Sequence, residues 1–487
     1  MSNVRRLFWL NAGVALAAGL LLRLWFVAHL PVISGDTLIY GGIAKNWLQH
    51  GVYGFDDNGR AGAALVIRPT LIRLPGYPLF LAACFRLFGV EHYRAVMGVQ
   101  VAFDLLTCWL ASALAGRLFG HRAALVVVWL AALCPFTASY VAAPLTEPLV
   151  LTSIALTFYG FARWQDAGLD YNRWLWVVAA ALAWSVLLRP EQGLLAAAVV
   201  PAMLWRSLAT PAQRSRLLHS AFPVLVAALC VVLPLLPWTI RNWRTFHVVQ
   251  PLVPKYATDP GELAPVGFGR WYRTWAIEFA TNETVYWNYD GAPIELKDLP
   301  ARAFDVGSPA ASDALRDRTA ALLDDYNQTT AISAGVDERF AALAQERIHA
   351  HPLLYHVGLP VARLLDMIFR PRTEMMNVDL EWWKWSKHPA QTVFAGSYAA
   401  LNLAYLALGV AGLVVWKRRG WTSPGSAPHP YRELAYAMAA SLILRCLLLL
   451  TLDNAEPRYT LEFFPVLLVW AGALFATSSG TTAEQSG

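Results

Sequence analysis

Charged residues are scarce in this chain. Of its 487 residues, 15% are charged and 57% are hydrophobic, whereas soluble domains carry about a quarter charged residues. This shortage excludes an ordinary soluble protein. The apolar residues form repeated runs of about twenty residues, which is the length of an α-helix that crosses the hydrocarbon core of a bilayer. The composition therefore predicts an all-α polytopic membrane protein.

Cysteine pairs and metal-binding patterns are also lacking. The five cysteines are scattered and form no CxxC pair, so neither a disulfide framework nor a zinc site is predicted. No Asp-x-Asp element lies at a suitable outer position, and the adjacent acids of FDDNGR, residues 55–60, are typical of a solvated turn. We expect no resident cofactor and no metal. The net charge of +6 is dispersed among short loops, which does not indicate a nucleic-acid partner.

Ten apolar segments are candidate membrane spans. The first follows two arginines without an A-x-A-like cleavage site, so we interpret it as a retained span rather than a signal peptide. A further apolar segment, 352–369, is expected to lie along the outer interface. The ten predicted spans are 7–29, 93–117, 122–141, 147–164, 173–189, 191–206, 217–238, 391–416, 433–452 and 459–477.

Basic residues orient these spans, because cytoplasmic loops are enriched in lysine and arginine. With ten alternating spans, the basic residues of the short loops share one side, which we interpret as cytoplasmic. They are Arg5, Arg6, Arg117, Arg122, Arg163, Arg173, Arg206, Arg214, Arg216, Lys417, Arg418, Arg419 and Arg432. The protein is then expected in the inner membrane with its site facing outward.

This topology defines the predicted domains. Residues 1–240 form a membrane core whose first outer loop is 30–92, and 241–390 form a mainly helical outer domain with helical runs at 311–326 and 337–350. Residues 391–477 hold the C-terminal spans, and 478–487 are expected to form a disordered cytoplasmic tail. The outer stretch 239–390 carries 19 of the 33 acidic residues.

Ionisable residues gather at the outer ends of the predicted spans. Charges at membrane depth cost several kcal/mol unless they are paired or hydrated, so they commonly mark a site. A transporter would be expected to place them near the midplane, on broken helices related by a repeat. The residues on this face are Asp36, Arg68, Arg73, Glu147, Arg189, Glu191, Arg241, Glu456 and Arg458.

Several of these residues also have a structural explanation, such as that of a solvated turn residue for Arg189, which precedes a proline. Asp36 is a suitable N-cap for a helix over 37–49, and Glu147 suits the first turn of a helix because of the helix dipole. Glu456 and Arg458 are close enough to pair with each other, and Arg23 inside the first span is expected to snorkel outward. Their common face is what favours a shared cavity for an anionic head group and a polar second substrate.

The order of several short motifs resembles a known superfamily. A membrane span is followed by SGDTLIYGGIAKNWLQHGVYG, RLPGYPLFLAACFRLFG, APLTEPL, LLRPEQGLL, PWTIRNW and EPRYTLEFFP. This order resembles the GT-C superfamily of membrane glycosyltransferases that use lipid-linked sugars, especially bacterial relatives of protein O-mannosyltransferases and the lipid A aminoarabinose transferase. The resemblance covers most of residues 5–240 and the last span.

The resemblance implies roles for particular residues. Asp36 occupies the place of the catalytic acid–base residue in the first outer loop, and Glu147 that of a second acid. Arg73 or Arg68 corresponds to the basic residue that binds the carrier phosphate, with Arg241 as a looser candidate. The helices 37–49 and 74–88 are expected to lie along the membrane surface and wall the site. The fuller set of donor-binding candidates adds Arg189, Lys45, Tyr40, Tyr77 and Arg458.

The mechanism expected from these residues is a displacement at the anomeric carbon. A carboxylate takes the proton of the acceptor hydroxyl, and arginines stabilise charge on the leaving phosphate. Inversion of configuration follows from direct displacement. Candidates for contacts with the acceptor or the sugar are Glu191, Glu456, Trp271, Tyr272 and Trp287.

Partners and rival functions follow from the same pattern. We expect membrane lipid, a polyprenyl-phosphate sugar and a glycan, glycolipid or protein acceptor as partners of a monomer. The aromatic residues of 269–291 suit either sugar stacking or an interfacial belt, and those of 381–389 favour the belt. A transporter of lipid-linked intermediates and a polyprenyl-diphosphate glycan ligase or polymerase remain as alternatives.

Overall fold

The computed structural model describes residues 3–57, 66–209, 217–420 and 431–476. The predicted tail 478–487, Arg214, Arg216 and the end of the FDDNGR turn lie outside the described residues. The chain divides into two compact units. The first comprises Met1–Leu252, Leu403–Leu442 and Leu461–Gly487, and the second Val253–Asn402 and Ile443–Thr460.

Helices dominate both units, as the sequence predicts. In chain order they are α1 (Asn3–His29), α2 (Asp36–His50), α3 (Gly76–Phe88), α4 (Tyr93–Phe119), α5 (His121–Ala132), α6 (Pro135–Ser139), α7 (Glu147–Asp166), α8 (Arg173–Leu188), α9 (Gly193–Ala209), α10 (Leu217–Val232), α11 (Leu235–Phe246), α12 (Val266–Arg273), α13 (Phe279–Thr281), α14 (Pro309–Asn327), α15 (Ala334–Ala350), α16 (Leu359–Phe369), α17 (Pro389–Gly420), α18 (Arg432–Leu449) and α19 (Phe464–Gly472).

Short 3₁₀ and π segments join several of these helices. The 3₁₀ segments are Tyr140–Ala142, Pro190–Gln192, Leu296–Asp298, Ala301–Ala303, Pro457–Phe463 and Ala473–Phe475, and the π segments are Asn282–Tyr286 and Leu354–Gly358.

All ten predicted spans fall on helical segments, and the prediction of an all-α membrane protein is confirmed. Within the described residues, six helical segments are long and apolar enough to cross a bilayer, or up to eight if each of two bent pairs counts as one span. The six are Arg6–His29, Tyr93–Phe119, Pro190–Ala209, Ala221–Phe246, Pro389–Arg419 and Pro457–Phe475.

The four remaining predicted spans differ for physical reasons. One of them, 433–452, falls on α18, which carries three charged residues among its 18, Arg432, Glu433 and Arg445. The segment 122–141 is broken, since α5 and the helical residues Pro135–Ala142 meet at 43°, where Pro135 starts a new helix. Helix α8 is apolar but has only 16 residues. Helix α7 is buried along nearly its whole length, so protein rather than lipid surrounds it and it tolerates polar residues.

The segment between α1 and α4 contains two short helices, as predicted, and a β-hairpin that the sequence pattern did not indicate. Helices α2 and α3 correspond to the predicted helices 37–49 and 74–88. Between them β1 (Gly54–Asp57) pairs antiparallel with β2 (Val66–Pro69), with Gly54 opposite Pro69. The FDD of the expected turn thus lies in a strand.

A buried ion pair holds the break after α5. Arg23 of α1 is fully buried, and its Nε donates to Asp104 of α4 over 2.6 Å. The same guanidinium donates to the carbonyls of Ala132 (2.7 Å) and Ala131 (3.4 Å) at the end of α5, where the last carbonyls of a helix lack their i+4 donors. The expectation that Arg23 snorkels outward is therefore wrong, because its hydrogen-bond partners lie inside the bundle.

The second unit has its own hydrophobic core. Helices α12, α14 and α15 contribute Phe268, Trp271, Leu322 and Phe340 to one cluster of buried residues. Asp337 accepts backbone N–H bonds from Gly267 and Phe268, each over 2.8 Å, and so caps the start of α12. The predicted helical runs 311–326 and 337–350 correspond to α14 and α15.

Candidate active site

An aspartate and an arginine predicted from separate motifs meet in the first unit. Asp36 is the first residue of α2, directly after Gly35, whose φ of 51° lies in the left-handed region. Arg73 lies in the turn between β2 and α3, and its Nη2 donates to Asp36 Oδ1 over 2.9 Å. Their side chains are 23% and 21% exposed. The pair is thus accessible to a polar ligand.

Two tyrosines form one wall of this pair. The Arg73 guanidinium lies 5.6 Å from the ring centroid of Tyr40, and Tyr40 contacts Tyr77 edge-on with centroids 5.1 Å apart. Tyr77 is fully buried and donates its hydroxyl proton to Gln100 Oε1 over 2.6 Å. The predicted donor-binding residues Tyr40 and Tyr77 therefore lie in contact with each other and, through Tyr40, with Arg73.

A second arginine lies between two buried glutamates. Arg189 Nη2 donates to Glu147, and Arg189 Nη1 donates to Glu462 over 3.3 Å. Gln192 Nε2 donates to the other Glu462 oxygen over 2.6 Å, and Arg189 Nε donates to Thr146 Oγ1 over 2.7 Å. The two glutamate side chains are 2% and 9% exposed. This cluster connects the start of α7 and the residue after α8 to Glu462, which lies just before α19.

The backbone brings the two sets of charges to the same end of the first unit. The N–H of Val32, just before α2, donates to the carbonyl of Ala142 over 2.9 Å, and Thr37 Oγ1 donates to Pro144 O over 3.3 Å. The chain from Ala142 to Glu147 therefore runs beside the start of α2.

The turn that carries Arg73 is likewise fixed against the end of α8. A Cβ placed on Gly76 would lie 2.5 Å from the Leu187 carbonyl group and 2.8 Å from Leu188 N. Only glycine permits this approach, two residues before Arg189. The PGYP motif thus sets the distance between the two arginine-bearing segments.

Arg241 is held under the hairpin. Its Nη2 and Nη1 donate to the carbonyls of Tyr53 and Thr70, each over 2.7 Å, and these residues flank the two strands. Three rings lie against the guanidinium, those of Tyr53, Trp238 and Phe246, with centroids 5.2–5.3 Å away. This arrangement favours a structural role for Arg241 over contact with the carrier phosphate.

The other candidates of the first unit lie on three different elements, α2, β2 and the 3₁₀ turn after α8. Lys45 Nζ lies 3.2 Å from Glu91 Oε1 and 3.9 Å from Asp56 Oδ2. Arg68 is exposed on β2, opposite Phe55. Glu191 is partly buried in the 3₁₀ turn that follows Arg189.

The remaining candidates belong to the second unit. Arg458 Nε donates to Glu456, as the structural explanation of these two residues predicts. Trp271 and Tyr272 are 1% and 0% exposed in the core, so their faces contact other side chains. Trp287, 45% exposed, is the most exposed of these three aromatic residues.

Two buried acids were not singled out from the sequence. Glu462 lies within LEFFP and Asp104 within FDLL, and each was treated as part of an apolar run. An acid inside such a run is itself a signal, because it must find a partner. Among the described residues, no group of three or more His, Cys, Asp or Glu side chains is arranged to hold a metal ion.

Comparison with solved structures gives matches that span nearly all of this chain at low identity. The oligosaccharyltransferase of Archaeoglobus fulgidus, tethered to an acceptor peptide with an NVT sequon, is 14% identical, with 95% of this chain and 49% of that chain covered and a TM-score of 0.45. ArnT from Cupriavidus metallidurans bound to undecaprenyl phosphate is 15% identical, with 97% and 78% covered and a TM-score of 0.34.

The same archaeal enzyme, AglB, also matches in complex with an inhibitory peptide and a dolichol-phosphate. That match is 11% identical, with 94% and 50% covered and a TM-score of 0.41. The chain spans about half the length of the oligosaccharyltransferase chains that it matches. No curated protein sequence matches this chain.

A family model matches the part of the sequence that holds most of the site. It is described as dolichyl-phosphate-mannose-protein mannosyltransferase and covers residues 68–238. This range includes Arg73, Glu147 and Arg189, while Asp36 precedes it. The match over residues 68–238 confirms the resemblance to the GT-C membrane glycosyltransferases, and to their protein O-mannosyltransferase branch, that the order of motifs predicts.

Proposed function

We propose that this protein transfers a sugar from a polyprenyl-monophosphate donor to an acceptor hydroxyl at the outer face of the membrane. The observation that carries the proposal is the Asp36–Arg73 pair, 2.9 Å apart and partly exposed, in which Arg73 belongs to the segment that matches a mannosyltransferase family. A carboxylate and a guanidinium in contact supply the two functions that such a transfer needs.

Asp36 is the general base of this proposal. The acceptor oxygen attacks the anomeric carbon, the bond from that carbon to the phosphate oxygen breaks, and the acceptor proton passes to Asp36. The carrier lipid leaves as its phosphate. Direct displacement of this kind inverts the anomeric configuration. A positioned base contributes about 10²–10⁴-fold to such a reaction.

Arg73 is the proposed ligand of the donor phosphate. A guanidinium presents paired N–H donors that match phosphate oxygens, and charge grows on these oxygens as the sugar leaves, where a fixed cation is most effective. Tyr40 supports the guanidinium from one side. Lys45 and Arg68, in the same outer segment, are additional cations for the head group. We expect the cations present to make a resident metal unnecessary.

Glu147 is proposed to act from the neighbouring buried cluster. It pairs with Arg189, and its proposed role is to orient the acceptor or its hydroxyl. Glu191 follows in the same turn as Arg189. In the second unit, Trp287 remains the sugar-stacking candidate, Glu456 a candidate for the acceptor and Arg458 a candidate for the donor. We expect the protein to work as a monomer in an inner membrane with the site facing outward.

The Asp36→Asn variant tests the proposal. We expect cells that carry only this variant to lose a sugar from an envelope glycan, glycolipid or protein, measured by mass spectrometry against cells with the unaltered chain. The purified full-length variant should still bind undecaprenyl phosphate, measured by native mass spectrometry, because Arg73 remains.

Asp166→Asn is the matched control. Asp166 also pairs with an arginine at similar exposure, Arg117 at 2.5 Å, but it ends α7, whereas Glu147 begins it. Transfer should survive this change. A transporter would keep its flux in the Asp36 variant, and normal glycans in those cells would refute the proposed base.

A further inference from the structure

The turn that carries Arg73 has a second, buried support. Tyr53 lies just before β1 and is 6% exposed. Its hydroxyl donates to the Arg73 carbonyl (3.0 Å) or the Leu74 carbonyl (3.2 Å). A buried Tyr hydroxyl usually finds a partner, and here the partner is the backbone of the proposed phosphate ligand.

Tyr53 is itself fixed from three sides. Its ring contacts Trp47 of α2 and Trp238 of α11 edge-on, with centroids 5.4 and 5.0 Å apart. Its carbonyl accepts hydrogen bonds from Arg241 Nη2 (2.7 Å) and from the N–H of Thr70 (3.0 Å). The phenol is therefore held in one place, and the hydroxyl reaches the turn from a rigid base.

The chemistry of this hydroxyl is constant across the working pH range. Burial raises the pKa of Tyr53 well above its usual value near 10, and the nearby Arg241 and Arg73 oppose the shift only in part. The group thus remains a neutral donor at neutral and mildly alkaline pH.

From these contacts we infer that Tyr53 is a positioning residue for Arg73, which it holds at hydrogen-bond distance from Asp36. The Tyr53 hydroxyl bonds to the backbone and is not proposed to contact the donor or the acceptor. Tyr53 acts through the main chain of Arg73, and Arg241 supports Tyr53 by donating a hydrogen bond to its carbonyl. This inference rests on the proposed function for its catalytic consequence, although the geometric consequence is independent of it.

The Tyr53→Phe variant removes the hydroxyl and keeps the ring contacts. We expect its affinity for undecaprenyl phosphate to fall about five- to tenfold, the scale of one lost buried hydrogen bond. In an Arg73→Gln background, the same change should cause no further loss. An equal loss in both backgrounds, or no loss in the single variant, overturns the inference.

Tyr405→Phe is the matched control. The Tyr405 hydroxyl is also buried and also donates to a backbone carbonyl, that of Leu130, over 2.9 Å, outside the proposed site. This variant should bind undecaprenyl phosphate as the unaltered chain does. A comparable loss in the control would make the Tyr53 effect one of general stability and would refute the inference.

A second measurement does not depend on the proposed donor. Phenylglyoxal reacts with accessible guanidinium groups, and peptide mass spectrometry reads the reaction at Arg73. We expect faster modification of Arg73 in Tyr53→Phe than in the unaltered chain and in Tyr405→Phe, because the turn is released. An unchanged rate overturns the inference. If the unaltered chain binds no undecaprenyl phosphate but Arg73 reacts as expected, the proposed function fails while the positioning role stands.

Discussion

The two arginine–carboxylate sets of the first unit differ in burial. Arg73 and Asp36 are each more than one-fifth exposed and lie 2.9 Å apart. Arg189 is 10% exposed between glutamates that are 2% and 9% exposed, and Thr146 and Gln192 complete the network. A partly solvated pair exchanges one partner for an incoming phosphate at low cost, whereas a buried network holds its geometry.

This difference assigns separate tasks to residues that look alike in the sequence. Arg73 and Arg189 both precede a turn that contains a proline, Pro75 and Pro190 respectively. Exposed pairs contribute about 0–1 kcal/mol to stability, while removal of one partner from a buried pair costs about 3–5 kcal/mol. Arg189 is thus expected to serve mainly the fold of the site, and Arg73 mainly its substrate.

The largest expected effect on stability comes from Arg189→Gln. This change leaves Glu147 and Glu462 without the guanidinium that lies between them, so the free energy of unfolding in detergent should fall by about 3–5 kcal/mol. Thermal unfolding of the purified variant measures the loss. Removing both carboxylate charges with Glu147→Gln and Glu462→Gln in the same chain should recover much of the stability.

That combined variant also separates stability from function. It should fold, and it should transfer sugar poorly because Glu147 is absent. If Arg189→Gln alone unfolds at the same temperature as the unaltered chain, the buried network does not contribute to stability. The proposed difference between Arg189 and Arg73 would then be wrong.

The spans were predictable because hydropathy and helix length are local properties. Each predicted segment falls on a helix, and the departures occur where tertiary packing enters. Helix α7 is enclosed by protein, and α5 ends where Pro135 starts α6. The roles of Asp36 and Arg73 were expected from motif order, but their contact depends on the hairpin and on the turn before α3, which connect them in space.

Other parts of the site depend on long-range contacts that no local pattern carries. The strands GFDD and VIRP have four residues each, too few to show an alternating pattern. Glu462 meets Arg189 across 273 positions. Trp271 and Tyr272 occupy a core whose other members lie as far away as Phe340 and Ala344, so composition alone does not separate a core face from a sugar-binding face.

An intermediate effect is expected from Gly76→Ala, which disturbs the contact between the two sets. The added Cβ would meet the Leu187 and Leu188 backbone at 2.5–2.8 Å, so α3 and α8 must move apart at a cost of about 1–3 kcal/mol. Transfer should fall together with the unfolding temperature, since the Arg73 turn and Arg189 both shift.

Gly42→Ala provides the matched control in α2. Its Cβ would have no neighbour within 4 Å, and alanine is favoured over glycine within a helix by about 0.5–1 kcal/mol. The control should keep its transfer activity and unfold at an equal or higher temperature. Equal transfer activity and equal unfolding temperature in the two glycine variants would show that the close approach of α3 to α8 is not required.

The smallest expected effect on stability comes from Arg73→Gln. Because the Arg73–Asp36 pair is partly solvated, we expect thermal unfolding to change by no more than about 1 kcal/mol. Binding of undecaprenyl phosphate should nevertheless weaken, since the charge that faces the phosphate is lost, and raising the salt concentration should weaken binding to the unaltered chain more than to the variant. A variant that loses much stability but keeps its affinity for the lipid would reverse the assignment, making Arg73 the structural arginine and leaving Arg189 as the phosphate ligand.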